Sequence, residues 1–159
     1  MRSFTGLLMV FALLMVFALA SGLQAAQSPF SGTWKLNPTK STISAPSPHA
    51  EIIQVKADEN SIEVSSEVLD PRSGKTTKSS YKAAFDGNDY PVIGDPREDS
   101  IAFQRIDANT LKATAKKSGK VVGEYTFVVS ADGRTTTVNY TEPDSEGNTY
   151  KGSEVYEKQ

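Results

Sequence analysis

Residues 120–142 read KVVGEYTFVVSADGRTTTVNYTE. Tyr125, Phe127 and Val129 recur at every second position, and so do Thr136, Val138 and Tyr140. Between the two sets stand Ala131, Asp132 and Gly133. Successive side chains of a strand point to opposite faces, so a two-residue period marks a strand with one inward face. Asp-Gly at the junction supplies the backbone freedom of a tight hairpin. The stretch predicts two antiparallel strands joined by a short turn.

The same pattern extends in both directions. Towards the C-terminus, 143–147 is turn-forming and 148–157 follows with Tyr150, Gly152, Glu154 and Tyr156 on one face. Towards the N-terminus, strands are predicted at 110–116, 99–106, 90–93, 75–85, 62–68, 50–57 and 31–37. In 99–106, Ile101, Phe103 and Arg105 share a face; in 75–85, Tyr81, Ala83 and Phe85 do. Asp86-Gly87-Asn88 is a tight turn, and Pro91 marks 90–93 as an edge or a bulge. Residues 38–50 contain Pro38, Pro46 and Pro48, which suit neither strand nor helix, so a loop is predicted there.

About ten strands joined by short turns make an antiparallel meander. An open meander would leave two edges with unpaired backbone groups, and closure removes them. The expected fold is therefore all-β: a single antiparallel up-and-down β-barrel of about ten strands, its last strand beside its first. A sandwich or an open, flattened sheet is the alternative. Ten strands leave room inside for a ligand, whereas eight are just filled by side chains.

Ahead of this domain lies a different kind of sequence. Arg2 precedes an apolar run at 7–20 that contains a tandem copy, LLMVFA at 7–12 and LLMVFA at 13–18. Small residues follow at Ala20, Ser21, Gly22, Ala25 and Ala26. This layout is that of a secretory signal peptide over 1–26. The run is shorter than the roughly 20 residues that cross a bilayer. Export to the periplasm or the medium is expected, with 27–159 as one domain and no membrane span after cleavage. A domain of that size buries about two-thirds of its unfolded surface, so the lack of any cysteine is no obstacle to folding.

Removing 1–26 takes away Arg2 and leaves 16 Lys and Arg against 19 Asp and Glu. Without a basic stripe, nucleic acid is not an expected partner. His49 is the single histidine and lies in the proline-rich loop, and with no Cys in the chain a His/Cys zinc set cannot be assembled. No EF-hand or phosphate-cradling loop is present. No metal or cofactor is expected, and Asp95, Glu98 and Asp99 read as a solvated turn.

Two end segments carry a family likeness. Phe30-Ser31-Gly32-Thr33-Trp34-Lys35-Leu36 resembles the F-x-G-x-W-K-L opening of the fatty-acid-binding proteins, within the calycin superfamily that also holds the lipocalins. Val155-Tyr156-Glu157-Lys158 resembles their R-x-Y-E-K ending. The resemblance implies a calycin barrel with an interior ligand, and Tyr156 matches the family's last-strand Tyr. Two departures accompany it. The family's helical lid has only the proline-rich 38–50 in its place. The family's carboxylate-binding Arg is replaced by Glu154, and a second family Arg falls near Tyr140. Like charges repel, so the fatty-acid headgroup site does not carry over. The chain is placed with lipocalin-like proteins that have no lid.

Candidate residues follow from the inward faces. Trp34 is expected to plug the closed end, with its indole N–H on a carbonyl. Tyr81, Tyr125, Tyr140, Tyr150 and Tyr156, with Phe85, Phe103 and Phe127, are candidate cavity lining. Arg105, if inward, needs a partner, and Glu154 is the expected one. The expected function is a monomeric, non-enzymatic binding protein holding an apolar or amphipathic small molecule in its interior. The alternative is a cell-envelope interaction protein with a filled core. Arg105, Glu154 and Tyr156 are the one set that could support catalysis.

Overall fold

The computed structural model describes residues 28–42, 50–70, 73–143 and 148–159. The signal-peptide reading, His49 and most of the proline-rich segment lie outside them. Ten strands follow one another: β1 (Gly32–Leu36), β2 (Ala50–Ala57), β3 (Ser61–Leu69), β4 (Thr76–Ala84), β5 (Asp86–Ile93), β6 (Ser100–Arg105), β7 (Thr110–Lys117), β8 (Lys120–Val129), β9 (Thr135–Pro143) and β10 (Thr149–Lys158). Each pairs antiparallel with the next, and β10 returns to β1, so the sheet is a closed barrel. The opening stretch forms the β8–β9 hairpin, with Tyr125 opposite Tyr140 and Phe127 opposite Val138.

Closure rests on a short seam. Trp34 pairs with Lys158, Lys35 with Glu157 and Leu36 with Tyr156. The two family-like ends of the domain are therefore direct neighbours. On the far side, β4 and β5 share two pairs, Ser80 with Ile93 and Tyr81 with Val92. By contrast β3 and β4 are paired along their whole length, from Ser61–Ala84 to Leu69–Thr76. Pro91 in β5 has no N–H to give to either neighbour.

One strand boundary differs from expectation. β5 begins at Asp86 and not near residue 90, because Asp86 already pairs with Gln104 across an irregularity that ends at Asp89. Gly87, at φ 78°, absorbs the kink. Asp86 Oδ1 accepts the Asn88 N–H at 3.0 Å, so the turn chemistry is present and serves the β5–β6 ladder as well.

The interior divides by depth. The end that holds the β2–β3, β4–β5, β6–β7 and β8–β9 turns is packed solid, with Phe103 and Leu111 fully buried. Trp34 closes the floor: it is 3% exposed, and Nε1 donates to the Phe30 carbonyl at 2.8 Å. Lys158 Nζ lies 5.0 Å from the centre of its ring. Phe103 is the hub of an aromatic chain, with ring centroids 5.7 Å from Tyr81, 6.4 Å from Phe85 and 5.8 Å from Phe127. Offset and edge contacts of this kind stabilise beyond the area they bury.

Candidate functional site

Above the aromatic chain the barrel interior changes character. A cavity of about 210 Å³ opens towards the other end, between the first residues of β2, the last of β3 and β9, and the β5–β6 connection at 94–99. Tyr81 and Ser79 on β4, Tyr125 and Phe127 on β8, and Ile53 on β2 form its walls. A residual gap of about 50 Å³ lies below, among Trp34, Ile62, Phe103 and Leu111. It is lined by apolar side chains, and at that size it is a packing defect.

Carboxyl groups dominate the cavity's upper part. Glu51 is the first inward residue of β2 in register with Ile53, Val55 and Ala57. Its Oε2 lies 2.7 Å from the Tyr156 hydroxyl, and Glu154 Oε2 lies 2.9 Å from the same oxygen. On the opposite wall, Tyr125 donates to Glu142 Oε1 at 2.8 Å. The β5–β6 connection brings Asp95, Arg97 and Glu98 over the mouth. Arg97 forks onto Asp95, Nη2 to Oδ2 at 3.0 Å and Nε to Oδ1 at 3.3 Å, with its own side chain largely exposed at the rim.

Burial and partners set the charges. Burial pushes the Glu51 carboxyl up to about 7, with the neighbouring charge of Glu154 adding to it and the Tyr156 hydroxyl opposing it. Glu98 is raised to about 7, again mainly by burial, with Asp95 adding to the rise. Asp95 goes the other way: burial pushes it up, and the hydrogen bonds from Arg97 outweigh that and hold it below the usual range. Burial also raises Tyr81, Tyr125 and Tyr156, so all three are neutral donors.

Six of the residues predicted to line a cavity do so: Tyr81, Tyr125, Phe127, Tyr140, Glu154 and Tyr156. Tyr140 lies over the backbone of Gly152, its cross-strand partner, where a Cβ would meet the ring. Phe85, Phe103 and Arg105 correct the expectation. Phe85 and Phe103 belong to the solid half of the barrel, and Arg105 lies there too. Its guanidinium stacks 4.5 Å above the Phe85 ring, and Nη2 donates to the Asp58 carbonyl at 2.7 Å. Arg105 and Glu154 share the inward face but sit at opposite depths, so the expected ion pair does not form and the catalytic set does not assemble. Tyr150 is inward by parity but stands at the open rim, 40% exposed. Asp99 turns away from the mouth and accepts the Ser118 N–H at 2.8 Å.

Sequence reasoning passed over Glu51, Arg97 and Glu142, and it read Glu98, with Asp95, as a solvated turn, whereas both line the cavity mouth. Two of these were within its reach. Glu142 continues the series Thr136, Val138, Tyr140, and Glu51 continues Ala57, Val55, Ile53, one step further towards the mouth. Arg97 and Glu98 carry no periodic signal, since they enter the site from a connection that folds over it.

No protein-family model matches the sequence, and no curated protein matches it. Solved structures do. The ileal bile acid-binding protein of zebrafish, crystallised with cholic acid, superimposes with a TM-score of 0.52 at 11% identity, over 83% of this chain and 100% of that one. The fold is that of the calycins. A siderocalin described as functioning through dual ligand specificities is also similar, at 14% identity and a TM-score of 0.38, over 83% of this chain and 75% of that one. Within the described residues this calycin-like barrel holds no helix. The described part of its β1–β2 connection is a turn at Pro38–Lys40 followed by a bridge between Thr42 and Ser153.

Proposed function

We propose that this protein is an exported, monomeric binding protein, not an enzyme, that holds one small amphipathic molecule in the open half of its barrel. The observation that carries this reading is the 210 Å³ cavity, walled by Tyr81, Tyr125 and Phe127 on one level and by carboxyl groups above them. A pocket with an apolar body and a few convergent polar groups is the usual form of a small-molecule site. The space has room for a small molecule and opens to solvent at the mouth.

The filled-core alternative describes the lower half of the barrel, where Phe103 and Leu111 are fully buried and the residual gap is about 50 Å³. It does not describe the upper half. The test is native mass spectrometry of protein purified from its own host, joined to a fluorescence screen of small amphipathic compounds. A bound species lost on denaturation supports the reading. An empty protein that binds nothing in the screen would overturn it. For export, residues 1–26 fused to a reporter active only outside the cytoplasm should give signal, and replacing Leu13 and Leu14 by Arg should remove it.

A further inference from the structure

The geometry around Tyr156 requires a proton that the ordinary charge states do not supply. A phenol has one hydrogen, and its oxygen lies 2.7 Å from Glu51 Oε2 and 2.9 Å from Glu154 Oε2. It can donate to one carboxylate only. The second contact would set a lone pair against an anionic oxygen unless that carboxyl is itself protonated and donates back. Burial and the neighbouring Glu154 charge assign that proton to Glu51, which holds it to about pH 7.

The groups facing Glu51 relieve it in part: the Tyr156 hydroxyl and the Arg97 charge favour the anion, and burial with the Glu154 and Asp95 charges outweighs them. Tyr156 and Glu154 meet it from β10, and Tyr81 from β4. Asp95, Arg97 and Glu98 face it from the β5–β6 connection. Tyr125, on β8, and Tyr140 and Glu142, on β9, close the ring. Among the described residues, five carboxyl groups thus surround a space whose lining contains one cation. That cation, Arg97, is bound at two nitrogens by Asp95.

We propose that the cavity selects a small organic cation, an ammonium or amidinium on an aromatic or apolar body, and that its entry expels the shared proton of Glu51 to solvent. The proposal rests on the cavity being a ligand site, and it names the ligand's charge. A positive group placed between Glu51 and Glu154 replaces the proton as the counter-charge of the pair. Tyr81 and Tyr125 line the same space with aromatic surface, and cation–π contacts strengthen where water is excluded. A carboxylate ligand would instead meet the like charge of the carboxyl groups that dominate the lining.

Three probes that share a phenylethyl body and differ in head group decide it: phenethylamine, 2-phenylethanol and 3-phenylpropionate, titrated calorimetrically into the purified protein at pH 6 and pH 8. Phenethylamine is expected to bind, and 3-phenylpropionate is not. Displacing one proton held to about pH 7 makes the amine bind about tenfold tighter at pH 8 than at pH 6. At pH 6 about one proton is released per amine bound, read from the heat in buffers of different ionisation enthalpy. Glu51→Gln should lose both the pH dependence and the proton release. If that variant does not fold, Tyr156→Phe serves, and should move the midpoint of the pH dependence upwards. Binding of the alcohol or the acid in preference to the amine overturns the cation assignment and leaves the ligand site standing. So does amine affinity that is flat or falling with pH, or pH dependence unchanged in both variants. Binding of none of the three overturns the ligand site itself.

Discussion

Tyr156 joins the two halves of the barrel. Its Cα pairs with Leu36 on β1 and Thr136 on β9, within the packed half. Its hydroxyl reaches up between two carboxyl groups. The hydrogen bond from Tyr156 is what holds the Glu51 titration down to about 7 against burial and the Glu154 charge. Tyr156→Phe removes that bond and leaves the burial in place. The Glu51 carboxyl should then titrate above 7, by about one unit for the loss of one hydrogen bond to a charged group. Carbon-13 NMR of the glutamate carboxyls across pH checks this, and a midpoint that stays or falls would be inconsistent with it. Arg105 shows the opposite case. Its charge is met by a backbone carbonyl and an aromatic face.

Among the elements, the β5–β6 connection and the β4–β5 seam differ most from the rest of the sheet. Gly94 begins the connection at φ 87°, in the left-handed region, and a Cβ there would run into the Lys78 carbonyl oxygen. Backbone atoms cannot step aside, so Gly94→Ala combines strain with a clash. It should cost about 1–3 kcal/mol in urea denaturation. It should also shift the NMR signals of Asp95, Arg97 and Glu98 together, because Gly94 anchors the segment that carries them over the mouth. The seam makes a separate prediction. With two register pairs between β4 and β5, local opening there breaks few contacts. Amides shared across that seam should exchange with deuterium at least tenfold faster than those between β3 and β4, measured under native conditions. Equal protection on both sides of β4 would show that the seam is not a weak line.

For the molecule as a whole, buried carboxyl groups set the pH dependence of stability. Glu51 and Glu98 titrate at 4.5 in the unfolded chain and about 7 when folded. Between those values the folded state binds more protons than the unfolded state, so stability falls as pH rises. The stabilising advantage of protonation is fully present below about 4.5 and is lost by about 7 and above. Glu51, the more deeply placed, contributes on the order of 3 kcal/mol to that loss. Denaturant midpoints measured at pH 5 and pH 8 should therefore favour pH 5. Glu51→Gln should reduce the difference and leave the share of Glu98, because the amide carries no charge at either pH. A bound cation should oppose the same loss at pH 8.

Much of this was legible in the sequence. Alternation is a local property: one residue of every two points inward, whatever the rest of the chain does. It located all ten strands, made Trp34 a floor residue with its indole N–H on a carbonyl, and set Tyr81, Tyr125, Tyr140 and Tyr156 on the inner face. The two end motifs, Gly32-Thr33-Trp34 and Val155-Tyr156-Glu157-Lys158, foretold which strands would meet. Depth along the barrel was not legible. Parity states that Arg105 and Glu154 both point inward, but their heights depend on the summed registers of the four pairings from β6 to β10, and each residue of offset moves a side chain by about 3.3 Å along the strand. Only the closed structure put Arg105 on Phe85 at the packed end, brought Glu51 from β2 against Tyr156 and Glu154 on β10, and folded Asp95, Arg97 and Glu98 over the mouth. Closure is a contact between chain ends more than a hundred residues apart, and the electrostatics of the cavity follow from it, because burial and proximity, not residue type, decide where a carboxyl holds its proton.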